Sequence, residues 1–348
     1  MPLKLSFGVV GVGALGKHHA RIFSELAAEG IIEFVGVFDL NTEAAKSVAK
    51  ACGSEAFERI DDLIEKVDGL TVVTPTSTHF DLGMQILNQG KHVLLEKPMT
   101  DDPGKADTLV RQAQAVNRVL QVGHVERFNP VFDYLNEAAS EPRFIEAHRL
   151  SPYPGRSVDI GVVLDLMIHD LDVVLAFVRS EVTHVDAVGI PVLSQSEDIA
   201  SARLRFANGC VANLTASRIS PERMRKIRVF SGGKKPTYIS LDYRAQEGFL
   251  YRLAKEHEPE SSLLKKLLHA KDSAIVSAFG GKKIMREPVP IKKGEPLRAE
   301  LESFVNCVAN AVSPRVSGAS AKLALEVAFE ITRQIGQSHE GLTVEADS

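Results

Sequence analysis

The chain has 348 residues, 44 % of them hydrophobic and 25 % charged, which excludes a disordered chain and gives enough length for two cores. A net charge of −4 gives no general reason to expect nucleic acid or an anionic membrane as partner. The cysteines Cys52, Cys210 and Cys307 are far apart, form neither a disulfide framework nor a metal-ligand spacing, and suit a reducing cytoplasm.

The first residues, MPLKLSFGVVGVGALGKHH, are apolar but glycine-rich and soon meet Lys17, His18 and His19. They read as a strand and a loop, neither a membrane span nor a cleaved leader. A strand over Leu5–Val10 is followed by a helix through about Ala28, and a strand over Glu33–Phe38 by a helix over Thr42–Ala51. Gly69–Val73 is a third buried run, followed by a helix over Asp81–Asn88. His92–Leu95 is the fourth strand, Pro103–Asn117 the next helix and Val119–Val122 the fifth strand. This alternation predicts βαβ units and a parallel sheet.

Beyond Gly123 the texture changes. Residues 201–219, SARLRFANGCVANLTASRI, read as a hairpin turning at Asn208-Gly209, and Arg225–Phe230 and Thr237–Asp242 as further strands. The expected fold is α/β, with an N-terminal dinucleotide-binding domain over 1–123 and an α+β domain with an antiparallel sheet over 124–348. Within 250–290, LLKKLLHAKDSAIV reads as an amphipathic helix or an exposed insertion. Pro296–Ala311 and Ala319–Gln337 read as closing helices, the first with its proline at the start, where a missing N–H costs nothing.

Gly11-Val12-Gly13-Ala14-Leu15-Gly16 matches G-x-G-x-x-G between a strand and a helix. The first glycine permits the tight turn, the second admits a pyrophosphate to the backbone and the third lets helix and strand pack closely. The helix N-terminus then offers unpaired N–H groups to the phosphates. Asp39, 23 residues beyond Gly16, can accept both adenosine ribose hydroxyls, and no Arg or Lys at 40–42 welcomes a 2′-phosphate, so the cofactor is read as NAD.

In HVLLEKPMT, Pro98 ends a buried strand directly after Lys97, where desolvating an ammonium is costly. Alone, that is a salt bridge with Glu96 or a lysine that snorkels to water. Three further stretches change its meaning: residues 74–98, TPTSTHFDLGMQILNQGKHVLLEKP; residues 122–130, VGHVERFNP; and residues 161–172, GVVLDLMIHDLD. With the Gly loop they resemble, in order, the Gfo/Idh/MocA family of sugar and cyclitol oxidoreductases.

The resemblance implies a Rossmann domain, a C-terminal domain with an open, mostly antiparallel sheet, a site between them, and a homodimer or homotetramer through that sheet's outer face. It makes Lys97 of E-K-P and His169 of D-x-x-x-H the catalytic pair, with Asp165 positioning substrate or His169. Glu96, Thr74, Pro75 and His79 would line the nicotinamide-ribose side together with Lys97. Met167 stands where the family often has glycine, which bears on pocket shape.

Asp165 and His169 are i and i+4, hence on one face of the expected helix, with Asp172 close to it. Oxidising a secondary alcohol removes a hydride from carbon and a proton from oxygen; the cofactor takes the hydride, and His169 or Lys97 takes the proton. Arg127 and Asn129 link the domains or contact substrate hydroxyls. Arg149, Tyr153 and Arg156 in HRLSPYPGRSVD are suited to phosphate and hydroxyl contacts. His18 and His19 are expected to face phosphate or solvent, and no cluster has metal-ligand spacing.

Together GHVERFNP and VLDLMIHDLD resemble the branch acting on UDP-N-acetylglucosamine. That implies oxidation of the sugar's 3-hydroxyl to a keto sugar, for amination in lipid A or surface-polysaccharide synthesis. Inositol or free-sugar oxidation, and an NAD(H)-binding sensor without turnover, are the alternatives.

Overall fold

A computed structural model describes residues 4–153, 160–233, 236–254, 274–279 and 282–346. The chain forms two units that are not contiguous in sequence: 1–128 joins with 295–326, and 129–294 joins with 327–348.

The first unit is built on a parallel sheet of β1 (Ser6–Val10), β2 (Glu33–Phe38), β3 (Glu55–Phe57), β4 (Gly69–Val72), β5 (His92–Glu96) and β6 (Leu120–Gly123). The order β3-β2-β1-β4-β5-β6 reverses direction at β1, the arrangement that opens a ligand crevice at the carboxyl ends of the strands. The helices are α1 (Gly16–Ala28), α2 (Thr42–Cys52), α3 (Ile60–Lys66), α4 (His79–Asn88) and α5 (Pro103–Ala115). The central strands are apolar on both faces because helices cover both.

Sequence periodicity overlooks β3 and α3. The strand has three residues of which only Phe57 is buried, and the helix spans seven, so neither carries a full repeat. The later helix α8 (Pro296–Asn310) returns to this unit. Its Leu301, Phe304 and Val308 recur at helical spacing and join Phe7 and Phe23 in one core. The Phe7 ring lies 5.5 Å from that of Phe23 and 5.7 Å from that of Phe304.

The second unit carries α6 (Pro130–Ala138), β7 (Pro142–Leu150), a π turn (Val163–Met167), α7 (Ile168–Val178) and β8 (Val182–Ile190). Then follow β9 (Ile199–Phe206), β10 (Val211–Ser217), β11 (Met224–Ser231), β12 (Thr237–Asp242), β13 (Glu247–Leu253), β14 (Ala274–Phe279) and β15 (Lys282–Pro288). They form one sheet, β14-β15-β13-β12-β11-β7-β10-β9-β8, in which only β7 and β10 pair in parallel. The expected hairpin is β9–β10, with Gly209 in its turn at φ +81°. Most of LLKKLLHAKDSAIV, residues 263–273, lies outside the described residues.

Alternate residues of β7, β9 and β11 are buried, while those between them stay half-buried or exposed. One face of the sheet therefore forms a core and the other is open. On the open face Phe144, Phe230, Tyr238 and Tyr251 run across four strands, with ring centroids 5.7, 4.6 and 4.9 Å apart in turn. The last helix, α9 (Gly318–Ala346), spans the sequence boundary between the units.

Candidate active site

The Gly loop shows a division of labour among its glycines. Gly11 has φ +87°, and a Cβ there would lie 2.5 Å from the Val73 carbonyl oxygen. A Cβ on Gly16 would lie 1.9 Å from the Gly11 carbonyl oxygen, so helix and loop meet only because it is absent. At Gly13 a Cβ would meet no protein atom within 4 Å. The first and third glycines serve the fold, and the second faces open space. Ala14 and Leu15 are exposed beside it. No side chain caps α1 and no acid stands in its first turn, leaving its N–H groups and positive dipole end to an anion. These residues fit a dinucleotide pyrophosphate.

Asp39 closes β2 and ties itself to that loop. Its Oδ2 accepts the Val12 N–H at 2.7 Å and its Oδ1 the Asn41 N–H at 2.8 Å. The neighbouring Leu40 is 91 % exposed, so the position next to Asp39 carries an apolar side chain where a 2′-phosphate would want a cation.

Two further strand ends complete this edge of the sheet. After β4, the Thr74 and Thr78 hydroxyls lie 2.7 Å apart, and the Pro75 carbonyl accepts the Thr78 N–H at 2.9 Å. β5 ends on Glu96, followed by the half-buried Lys97 and a cis Lys97–Pro98 bond. His79 joins the two ends: it is 1 % exposed, with Nδ1 2.9 Å from the Pro98 carbonyl oxygen and Nε2 2.9 Å from that of Thr74. Thr74 is half-buried and Pro75 exposed at the crevice, whereas the Glu96 and His79 side chains turn inward.

His19 departs from expectation. The sequence places it against phosphate or solvent, but it is wholly buried, with Nε2 3.2 Å from Glu96 Oε1. The signal was present: His19, Ile22, Phe23 and Leu26 form the buried stripe of α1, and His19 completes its spacing. His18, one residue earlier, is exposed as expected.

In the second unit, Asp165 lies inside the π turn and His169 in the first turn of α7, both partly exposed. A regular α-helix from 161 was expected, with these residues one turn apart. The π turn inserts an irregularity between them, a feature that recurs at functional sites. It is seated by the Glu197 carboxylate, whose Oε1 accepts the Val163 N–H at 3.2 Å. Gly161 makes the room, since a Cβ there would lie 1.9 Å from the same oxygen. Met167 ends the turn fully buried in the core.

The other polar residues are placed differently. Arg149 is 3 % exposed and forks onto Asp170, with Nε–Oδ2 at 2.9 Å and Nη2–Oδ1 at 3.0 Å, fastening β7 to α7. Asp172 is 2 % exposed. Asn129 caps α6, with Oδ1 accepting the Val131 N–H at 3.1 Å and Nδ2 donating to the Tyr243 carbonyl at 3.0 Å. Arg127 donates from Nη2 to the Arg315 carbonyl at 3.2 Å. Tyr153 is 37 % exposed, and Arg156 lies outside the described residues. Among the described residues, no three His, Cys, Asp or Glu side chains group to hold a metal, and no helix is long and apolar enough to cross a membrane.

A dinucleotide is what the loop and Asp39 are shaped to hold, and the class so defined is that of NAD-dependent oxidoreductases. Residues 5–124 match the model of an oxidoreductase family with an NAD-binding Rossmann fold, and residues 135–234 match the GFO/IDH/MocA C-terminal domain. The chain belongs to the Gfo/Idh/MocA oxidoreductase family. It is 36 % identical to a UDP-N-acetylglucosamine 3-dehydrogenase from Acidithiobacillus ferrooxidans, over 93 % of this chain and 95 % of that protein. A solved structure of that dehydrogenase superposes with a TM-score of 0.83 at 35 % identity, covering 95 % of this chain and 97 % of the other. The scyllo-inositol 2-dehydrogenase (NAD+) of Bacillus subtilis is more distant, 26 % identical over 97 % of this chain and 95 % of its own.

Proposed function

We propose that this protein is a UDP-N-acetylglucosamine 3-dehydrogenase, oxidising the sugar's 3-hydroxyl with NAD. The observation that carries the reading is the 36 % identity to an enzyme of that name across nearly the whole of both chains, ten percentage points above the inositol dehydrogenase of similar coverage. When bound, NAD supplies the hydride acceptor, and the hydroxyl proton passes to a side chain. Lys97 and His169 share that work: one hydrogen-bonds the oxygen as it gains alkoxide character and the other accepts the proton. Asp165 orients His169 or a sugar hydroxyl, and Arg127, Asn129, Tyr153 and Arg156 are the substrate-side candidates. The product is a 3-keto sugar nucleotide, a substrate for amination, which suits lipid A or surface-polysaccharide synthesis.

The test follows NADH absorbance with UDP-N-acetylglucosamine, myo-inositol and free hexoses in parallel. Turnover with the sugar nucleotide is expected. Turnover with inositol or hexose alone would move the reading to those substrates, and silence across the panel would favour a cofactor-binding sensor. Lys97→Ala and His169→Ala should each lower kcat at least 100-fold and leave NADH binding intact.

The open sheet face supports assembly as a homodimer or homotetramer. Phe230 is 38 % exposed within its aromatic row, and Arg286 stacks 4.6 Å over the Phe249 ring on the same face. Such a row is what a partner sheet covers. Light scattering should give a mass of two or four chains, falling in Phe230→Glu; a wild-type monomer would reject the assembly.

A further inference from the structure

Glu96 ends β5 directly before Lys97, and both of its carboxylate oxygens are engaged inside the protein. Oε2 accepts the backbone N–H of Lys97 at 3.2 Å, and Oε1 lies 3.2 Å from His19 Nε2. Room for the carboxylate comes from Gly123 at the end of β6, where a Cβ would lie 2.7 Å from its carbon and Oε1. The slot is thus cut by three elements: α1, β5 and β6.

His19 gains little for itself there. Both ring nitrogens are buried without an aligned hydrogen bond, and Nε2 approaches Glu96 Oε1 at 3.2 Å. A buried polar group left so costs stability, and an aliphatic side chain would fill the stripe of α1 without that cost. The ring is therefore explained by what it touches. On the other side of the lysine, His79 holds the Pro98 carbonyl at 2.9 Å.

We propose that His19 is a positioning residue for Lys97, acting through Glu96. The imidazole fixes the carboxylate, the carboxylate fixes the Lys97 amide, and the amide sets the direction in which the lysine side chain leaves the strand. A displacement of about 1 Å at a reacting group can cost on the order of 100-fold in rate. The inference rests on the catalytic reading of Lys97, and its test must stand apart from that reading.

Two substitutions suffice: His19→Leu, which fills the stripe without an N–H, and His19→Gln, whose side-chain amide can return a donor to Glu96. Each is assayed for kcat, KM and NADH affinity, and separately by 13C NMR of the reductively methylated, substrate-free protein. The Lys97 signal is assigned by its loss in Lys97→Arg. In His19→Leu, kcat should fall at least tenfold, NADH affinity and KM should change less than threefold, and the Lys97 signal should move; His19→Gln should restore most of each. An unmoved Lys97 signal in folded His19→Leu overturns the proposal, as does a loss of NADH affinity that accounts for the lost rate. If His19→Leu does not fold, Glu96→Gln must shift the Lys97 signal, and an unmoved signal there overturns the proposal too. A wild-type protein silent toward the sugar nucleotide, but with the signal shift intact, overturns the substrate reading and supports the link from His19 to Lys97.

Discussion

Arg218 and Asp198 meet at 2.8 Å with neither side chain exposed at all, the most deeply buried ion pair among the described residues. Arg218 also donates to the Ile160 carbonyl at 2.7 Å and to Ser194 Oγ at 2.8 Å. Asp198 accepts the N–H groups of Val192, Leu193 and Ser194. The pair anchors the 191–198 loop, whose residue Glu197 seats the π turn that holds Asp165.

Because the pair is fully buried and each partner is held by several hydrogen bonds, removing one partner strands the other. Asp198→Ala should cost about 3–5 kcal/mol and lower Tm sharply in calorimetry. Burial pushes the Asp198 carboxyl upward, but the Leu193 and Val192 amides, Arg218 and Ser194 outweigh it and hold the group well below the ordinary carboxylate range. A depressed carboxyl stabilises the fold above its unfolded value, near ~4, and that contribution drains as pH falls further. Asp198→Asn should therefore flatten the acid limb of a stability–pH curve, and a wild-type limb that stays in the variant would reject the assignment.

His92, at the start of β5, titrates over a different window. Burial, then the nearby Arg118 charge, lower its pKa from 6.5 to about 4, while Nδ1 accepts the Val119 N–H at 2.9 Å. The unfolded chain takes up a proton below about 6.5 that the folded one refuses until about 4, so stability falls as pH drops through that interval. The slope approaches ~1.4 kcal/mol per pH unit. His92→Asn keeps an acceptor and does not titrate, so its Tm should change less between pH 7 and pH 5 than that of the wild type.

The two kinds of glycine in the cofactor loop should separate stability from binding. Gly11→Ala puts a Cβ at φ +87° and 2.5 Å from a carbonyl oxygen, and should lower stability by more than ~1 kcal/mol as well as NADH affinity. Gly13→Ala meets nothing in the protein, so Tm should hold while NADH affinity falls at least tenfold by fluorescence titration.

Cofactor choice should rest on Asp39 and the exposed Leu40. Asp39→Ser with Leu40→Arg removes a charge that repels a 2′-phosphate and supplies a guanidinium for it. The ratio of NADPH to NADH affinity should rise at least 100-fold, and an unchanged ratio would place the discrimination elsewhere.

The parallel sheet was legible because each of its longer strands and helices carries a full hydrophobic repeat between turn residues, as in β1, α1 and β2. Thr237–Asp242 was read to the residue. In the first unit what escaped was short, β3 and α3; in the second, α6, β7, β8 and β13 were not singled out, and the extra backbone step of the π turn leaves no mark in the identities of Val163–Met167. At the site, the Gly loop and Asp39 were readable since their chemistry is backbone-driven. The pairing of His19 with Glu96 and of Asn129 with Tyr243 was not, because a side chain's partner depends on neighbours distant in sequence.

The return of α8 to the first unit has a consequence for the order in which the chain is made. Phe304 closes the ring cluster around Phe7, yet it leaves the ribosome almost 300 residues later. Domains as a rule fold from the N-terminus as they emerge. Here the cofactor-binding half waits with an open seam until nearly all of the second unit has been synthesised, so cutting the gene after residue 128 would yield a nucleotide domain missing its last wall.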